Sequence, residues 1–208
     1  MRFHPASSAL AAIALAGCAG APAPPTRTAE PLFVASASFY APPPRDRAQV
    51  IFLAPGPGPE AAPAAGLFDI DGERRTLLAA MGAHTSSLQL LAPGHHVFMS
   101  WGGTAHLVAA DLAAGRRYYV LMRPVGDGDL QPLPLRLREN VELSIANPTF
   151  HEWVDSPLVD KTPAADAWFA RDAARIDAAQ RAALDGWGRL PAAQRAALTL
   201  DADDAALR

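Results

Sequence analysis

Between residues 48 and 138 short apolar runs are separated by pairs of turn-forming residues. Val50–Leu53 is an uninterrupted apolar run bounded by proline and glycine clusters, which reads as a strand. Leu67–Ile70 leads into Asp71-Gly72, a hairpin dipeptide, and Arg74–Leu78 supplies the return strand. Ser86–Leu91 ends at Pro93-Gly94, His96–Trp101 at Gly102-Gly103, and His106–Leu112 at Ala114-Gly115. Arg117–Met122 is rich in aromatic and aliphatic strand formers. Leu133–Arg138 alternates leucine with proline or arginine, the pattern of an edge strand with one exposed face. Phe33–Tyr40 offers one strand more. Strands this short, about 8–12 residues apart, predict a mainly β fold: a small antiparallel β-sandwich, immunoglobulin-like or prealbumin-like, or a barrel.

The period changes after residue 161. Thr162 can cap a helix and Pro163 suits its first position. Trp168, Phe169, Ile176, Ala183 and Leu184 then recur at helical spacing. Gly186 and Gly188 are expected to end this helix. Pro191 opens a shorter segment to Leu198, and the acidic Asp201–Arg208 is expected to fray. Phe150–Trp153 is expected to pin this C-terminal helical tail to the β-domain, unless the tail extends from it.

Composition changes the picture most at the N-terminus. Of 20 prolines, 11 fall between residues 22 and 63, so this third is broken into extended pieces. Residues 19–31 are mostly Ala, Pro and Thr, a tether; a Pro-x-x-Pro ligand is the alternative. Upstream, Arg2 precedes the apolar stretch Ala9–Ala16, too short to span a bilayer and suited to a secretory signal. The single cysteine, Cys18, follows at once, and one cysteine excludes an intramolecular disulfide framework. The expected organisation is a cleaved signal peptide at 1–17, a tether at 18–31, a β-domain at 32–145, a connector at 146–161 and a helical tail at 162–208. A net charge of −3 argues against nucleic-acid binding driven by phosphate contacts. Cleavage would leave 17 basic and 21 acidic side chains, a net charge of −4.

Candidate chemistry is sparse. His84, His95, His96 and His106 fall within 23 residues, and imidazoles converging from neighbouring strands could bind Zn²⁺ or Cu²⁺. Adjacent His95 and His96 must point to opposite faces of a strand, which weakens that reading. Asp69, Asp71 and Glu73 alternate, but a solvated hairpin accounts for them, and Ca²⁺ takes about six to eight oxygen ligands. Trp101, Tyr118, Tyr119 and Trp153 could form an aromatic platform for glycan or peptide or build the core. Tyr118 and Tyr119 face opposite ways, so one of the two is expected outside. No G-x-S-x-G elbow, P-loop or H-E-x-x-H motif occurs. The expectation is therefore a protein without catalytic activity or cofactor.

Leu15-Ala16-Gly17-Cys18 resembles the lipobox of bacterial lipoproteins. The resemblance implies a diacylglycerol thioether on Cys18, cleavage before it and acylation (palmitate-type) of the new amino group. An ordinary signal peptide with an incidental cysteine is the alternative. Ala19, where an inner-membrane retention signal would place Asp, implies the outer membrane of a Gram-negative cell, on its periplasmic face. Residues 49–125 are similar to bacterial lipoproteins that carry the domain of unknown function 2846. The resemblance rests on Val50–Leu53, Asp71-Gly72, Pro93-Gly94-His95-His96 and Ala114-Gly115-Arg116-Arg117-Tyr118-Tyr119-Val120, in that order. It implies a β-sandwich of uncharacterised role and assigns no catalytic residue. Expected partners are the membrane, through the anchor, and an envelope protein met at a sheet edge; metal or glycan binding by the His84–His106 region is the rival.

Overall fold

The structure is a computed structural model and describes residues 30–56, 64–126, 128–137 and 141–206. Nine strands come first. They are β1 (Phe33–Ala35), β2 (Ala48–Ala54), β3 (Ala65–Asp71), β4 (Arg74–Met81) and β5 (Thr85–Leu91). There follow β6 (Gly94–Trp101), β7 (Ala105–Leu112), β8 (Arg117–Val125) and β9 (Asp129–Leu135). Helix α1 (Phe150–Val154) and β10 (Val159–Lys161) lead to α2 (Pro163–Arg171), α3 (Ala173–Arg189), α4 (Ala192–Ala197) and β11 (Thr199–Leu200). The fold is mainly β with a helical C-terminal segment.

The strands form a five-stranded sheet ordered β11-β7-β6-β3-β4, a four-stranded sheet ordered β5-β2-β8-β9, and a small β1-β10 pair. The chain visits the two larger sheets alternately, placing β3-β4 and β6-β7 in one and β2, β5, β8 and β9 in the other. That path corrects the antiparallel expectation. Because β2 and β8 are joined through both sheets, they lie side by side in parallel, Val50 against Tyr118 and Phe52 against Val120. β11 also joins β7 in parallel.

Buried side chains fall into three groups. Val50, Phe52, Leu67, Met81, Phe98, Val108, Tyr118, Val120 and Met122 form one cluster drawn from both sheets. Phe52 and Phe98 meet edge to face across it, with ring centroids 5.2 Å apart. On the other face of the five-stranded sheet, Phe68, Met99 and Trp101 pack against Phe169 and Ile176 of the helices. On the other face of the four-stranded sheet, Ile51, Leu53, Tyr119 and Leu121 pack beneath Phe150 and Trp153 of α1. Every residue of β2 is buried, and a strand covered on both faces requires an unbroken apolar run.

The helical tail therefore packs on the β-domain. Thr162 does not cap α2 with its side chain; its hydroxyl donates to the Pro31 carbonyl at 2.6 Å, tying the helix start to the strand region at the N-terminus. α3 does not stop at its glycines but runs through Gly186 and Gly188 to Arg189. It ends where Leu190 turns extended before Pro191, because proline disfavours helical backbone in the residue before it. As far as Ala206 the final segment is ordered against the sheets rather than frayed, and residues 207–208 lie outside the described residues. Leu200 is fully buried, and the Ala206 N–H donates to the Arg117 carbonyl at 2.8 Å. β9 has no exposed face, since Pro132 through Leu135 are all buried. Its prolines remain tolerable because it is an edge strand.

Candidate functional site

The four histidines occupy separate places. His84 sits exposed between β4 and β5 with φ 55°, a left-handed position that histidine tolerates better than most residues. His95 is exposed, and its Nδ1 lies 2.8 Å from Asp111 Oδ1 across the β6–β7 ladder. His96 faces the other way. Its Nδ1 lies 2.9 Å from Asp69 Oδ2 and its Nε2 lies 2.9 Å from the Ala92 carbonyl, and its ring stacks on Phe98 at 5.8 Å. His106 pairs with Ser100, four residues along β6 from His96, or about 13 Å at the usual strand rise. Among the described residues no three of His, Cys, Asp and Glu lie close enough to hold a metal ion.

Among the described residues His96 is the one imidazole with acceptors on both ring nitrogens. The Asp69 carboxylate beside it, opposed by burial and helped by the Ala92 carbonyl, raises its pKa above the ordinary 6.5. The pair joins β6 to β3, strands already neighbours in the sheet, so its visible effect is to fasten one end of the sheet. Asp71 pairs instead with Arg74 at 2.8 Å on the exposed hairpin.

Neither tyrosine faces solvent, which corrects the expectation that one would. Tyr118 is fully buried; its hydroxyl accepts from the Ala113 N–H at 2.9 Å and donates to the Ala202 carbonyl at 3.1 Å. Burial raises its pKa. Tyr119 points the opposite way, as strand alternation requires, but α1 covers that face and Phe150 meets its ring edge on at 4.9 Å. Trp101 is buried as well, against Phe169 at 6.0 Å. Trp101, Tyr118 and Tyr119 thus form no open platform. Cys18 lies outside the described residues.

A concave feature able to hold a small ligand lies elsewhere. A groove of about 380 Å³ is lined by Tyr40, Pro42, Pro43, Arg45, Gly115, Arg117 and Ala206. The Arg117 Nε donates to Gln49 Oε1 and its Nη2 to the Ala41 carbonyl. Gln49 is 2% exposed and its Nε2 donates to the same Ala41 carbonyl at 3.3 Å. The guanidinium is thus held by neutral acceptors that fix its position, and it forms no ion pair among the described residues. Tyr40 is fixed too: its hydroxyl lies 3.1 Å from Ser86 Oγ and donates to the Val154 carbonyl at 3.2 Å. Burial raises its pKa. Sequence reasoning passed over this groove because its residues come from the proline-rich linker, the start of β8 and the chain end, and no local motif marks them.

No known family model matches this chain, and no curated protein is significantly similar to it.

Proposed function

We propose that the chain is a lipoprotein held by acylated Cys18 in the outer membrane of a Gram-negative cell, facing the periplasm. In this reading its β-domain is a structural or protein-interaction module without catalytic activity. The observation that carries the reading is the place of the single cysteine, directly after a short apolar stretch closed by Leu15-Ala16-Gly17. Acyl-chain burial contributes about 0.8 kcal/mol per CH₂, so two or three chains anchor a protein stably. Residues 19–31 then serve as the tether to the folded domain.

Two further features support a module. The buried cluster shared by the two larger sheets favours a sandwich, immunoglobulin-like or prealbumin-like in type. The partner contact we infer is at a sheet edge. In the four-stranded sheet β9 carries prolines, which blunt an edge, and the start of β5 bridges Leu158. The second half of β5, where Leu90 is 47% exposed, is the stretch suited to strand addition. The rival, a metal- or glycan-binding His84–His106 region, has no observation in its favour.

Globomycin, which blocks the lipoprotein signal peptidase, tests the anchor. Expected is accumulation of a precursor that retains residues 1–17. Normal cleavage in its presence contradicts the proposal.

A further inference from the structure

We propose that the groove between Tyr40 and Ala206 binds a small monocarboxylate with an apolar body, of the kind borne by a peptide C-terminus or a short acyl acid. This reading is independent of the lipid anchor. The volume of about 380 Å³ falls at the lower end of the range for small-ligand pockets, roughly 300–1,000 Å³. Tyr40, Pro42, Pro43 and Ala206 supply an apolar wall, and proline restricts the backbone, so little entropy is lost when a ligand is held there.

The charge selects the ligand. Two arginines line the groove, and none of the described residues that line it is acidic. Two N–H groups of Arg117 are spent on Gln49 and Ala41, leaving three of the five a guanidinium carries. Such a fork fits the two oxygens of a carboxylate. Its position is set by Gln49, a buried polar side chain that bridges Arg117 and the Ala41 carbonyl. Arg45 is exposed and forms no side-chain hydrogen bond or ion pair among the described residues, so it is available to close over the second oxygen. A neutral molecule of the same shape would gain the apolar wall alone.

Isothermal titration calorimetry of the full chain in detergent tests this, with N-acetylphenylalanine and hexanoate as probes and their amides as controls. At least one acid is expected to bind at millimolar concentration or below, with its amide about tenfold weaker or more. Preference between the two acids identifies the source of the carboxylate. Arg45→Gln, at an exposed position, is expected to weaken binding about tenfold, and Arg117→Lys, which keeps the charge but loses the fork, by a similar factor. Equal binding of acid and amide, unchanged affinity in a folded Arg45→Gln variant, or no binding of either acid at millimolar concentration overturns the proposal.

Discussion

Single positions show how closely the strands are fitted. Gly102 opens the β6–β7 connection, where its N–H and that of Thr104 each donate to Asp129 Oδ1 at 3.0 Å. A methyl group at Gly102 would overlap the Gly128 carbonyl oxygen, a backbone atom that cannot rotate aside. Gly102→Ala is therefore expected to cost about 3 kcal/mol, read as a lower denaturation midpoint at unchanged m. His96 gives a pH-dependent term of definite sign. Its folded-state pKa is raised, chiefly by the Asp69 hydrogen bond, so its stabilisation is complete below the ordinary value of 6.5 and is lost as the pH rises through the folded-state pKa. The melting temperature of the parent should exceed that of His96→Asn by more under mildly acidic conditions than under mildly alkaline ones. Equal differences would show that the Asp69 pair does not stabilise the charged imidazole. The sequence displayed both residues but not their partners. His96 belongs to a visible histidine cluster, whereas Asp69 reaches it only through the β3–β6 register.

Among the elements, the docking of the helices is the most exacting contact. Gly66 lets α2 approach β3, and a Cβ there would stand 2.7 Å from the Phe169 ring and 2.8 Å from that of Phe68. Those rings meet edge to face at 5.5 Å. Gly66→Ala should destabilise by about 1–3 kcal/mol and alter the fluorescence of Trp101 and Trp168, whose rings lie 6.5 Å apart. Adding Phe169→Leu should return part of that loss, because the two positions are in contact. On the polar side of the joint, Arg75 donates to Asp177, and Gln180 Nε2 donates to the Gly72 carbonyl at 3.0 Å. Gly186 offers the opposite test. It lies inside α3 with nothing within 4 Å of an added Cβ, so Gly186→Ala should stabilise by about 0.5–1 kcal/mol, measured by thermal or chemical denaturation. The helical period and Pro191 were legible in the sequence. The glycines misled because a surrounding helix held by Ile176, Leu184 and Trp187 against the sheet overrides a weak local preference for ending there.

In the molecule as a whole, local patterns and long-range assembly separate cleanly. The apolar run of β2 and the turns at Asp71-Gly72, Pro93-Gly94 and Ala114-Gly115 each leave a local trace, and the strands stand where those traces put them. The parallel β2–β8 pair leaves none, because parallel partners are joined by a long excursion and share no turn. The return of Leu200 into the five-stranded sheet depends likewise on packing, and an acidic final segment conceals it. The groove is the extreme case, assembled from residues 40–45, 115–117 and 206. Only Cys18 carries a functional statement in its local sequence, and the proposed biology rests on it. The most direct test is to replace Cys18 with serine and fractionate the envelope after urea or carbonate extraction. The parent chain should remain with the outer membrane, and Cys18→Ser should appear in the soluble periplasmic fraction. A Cys18→Ser protein that still sediments with the outer membrane would contradict the lipid anchor.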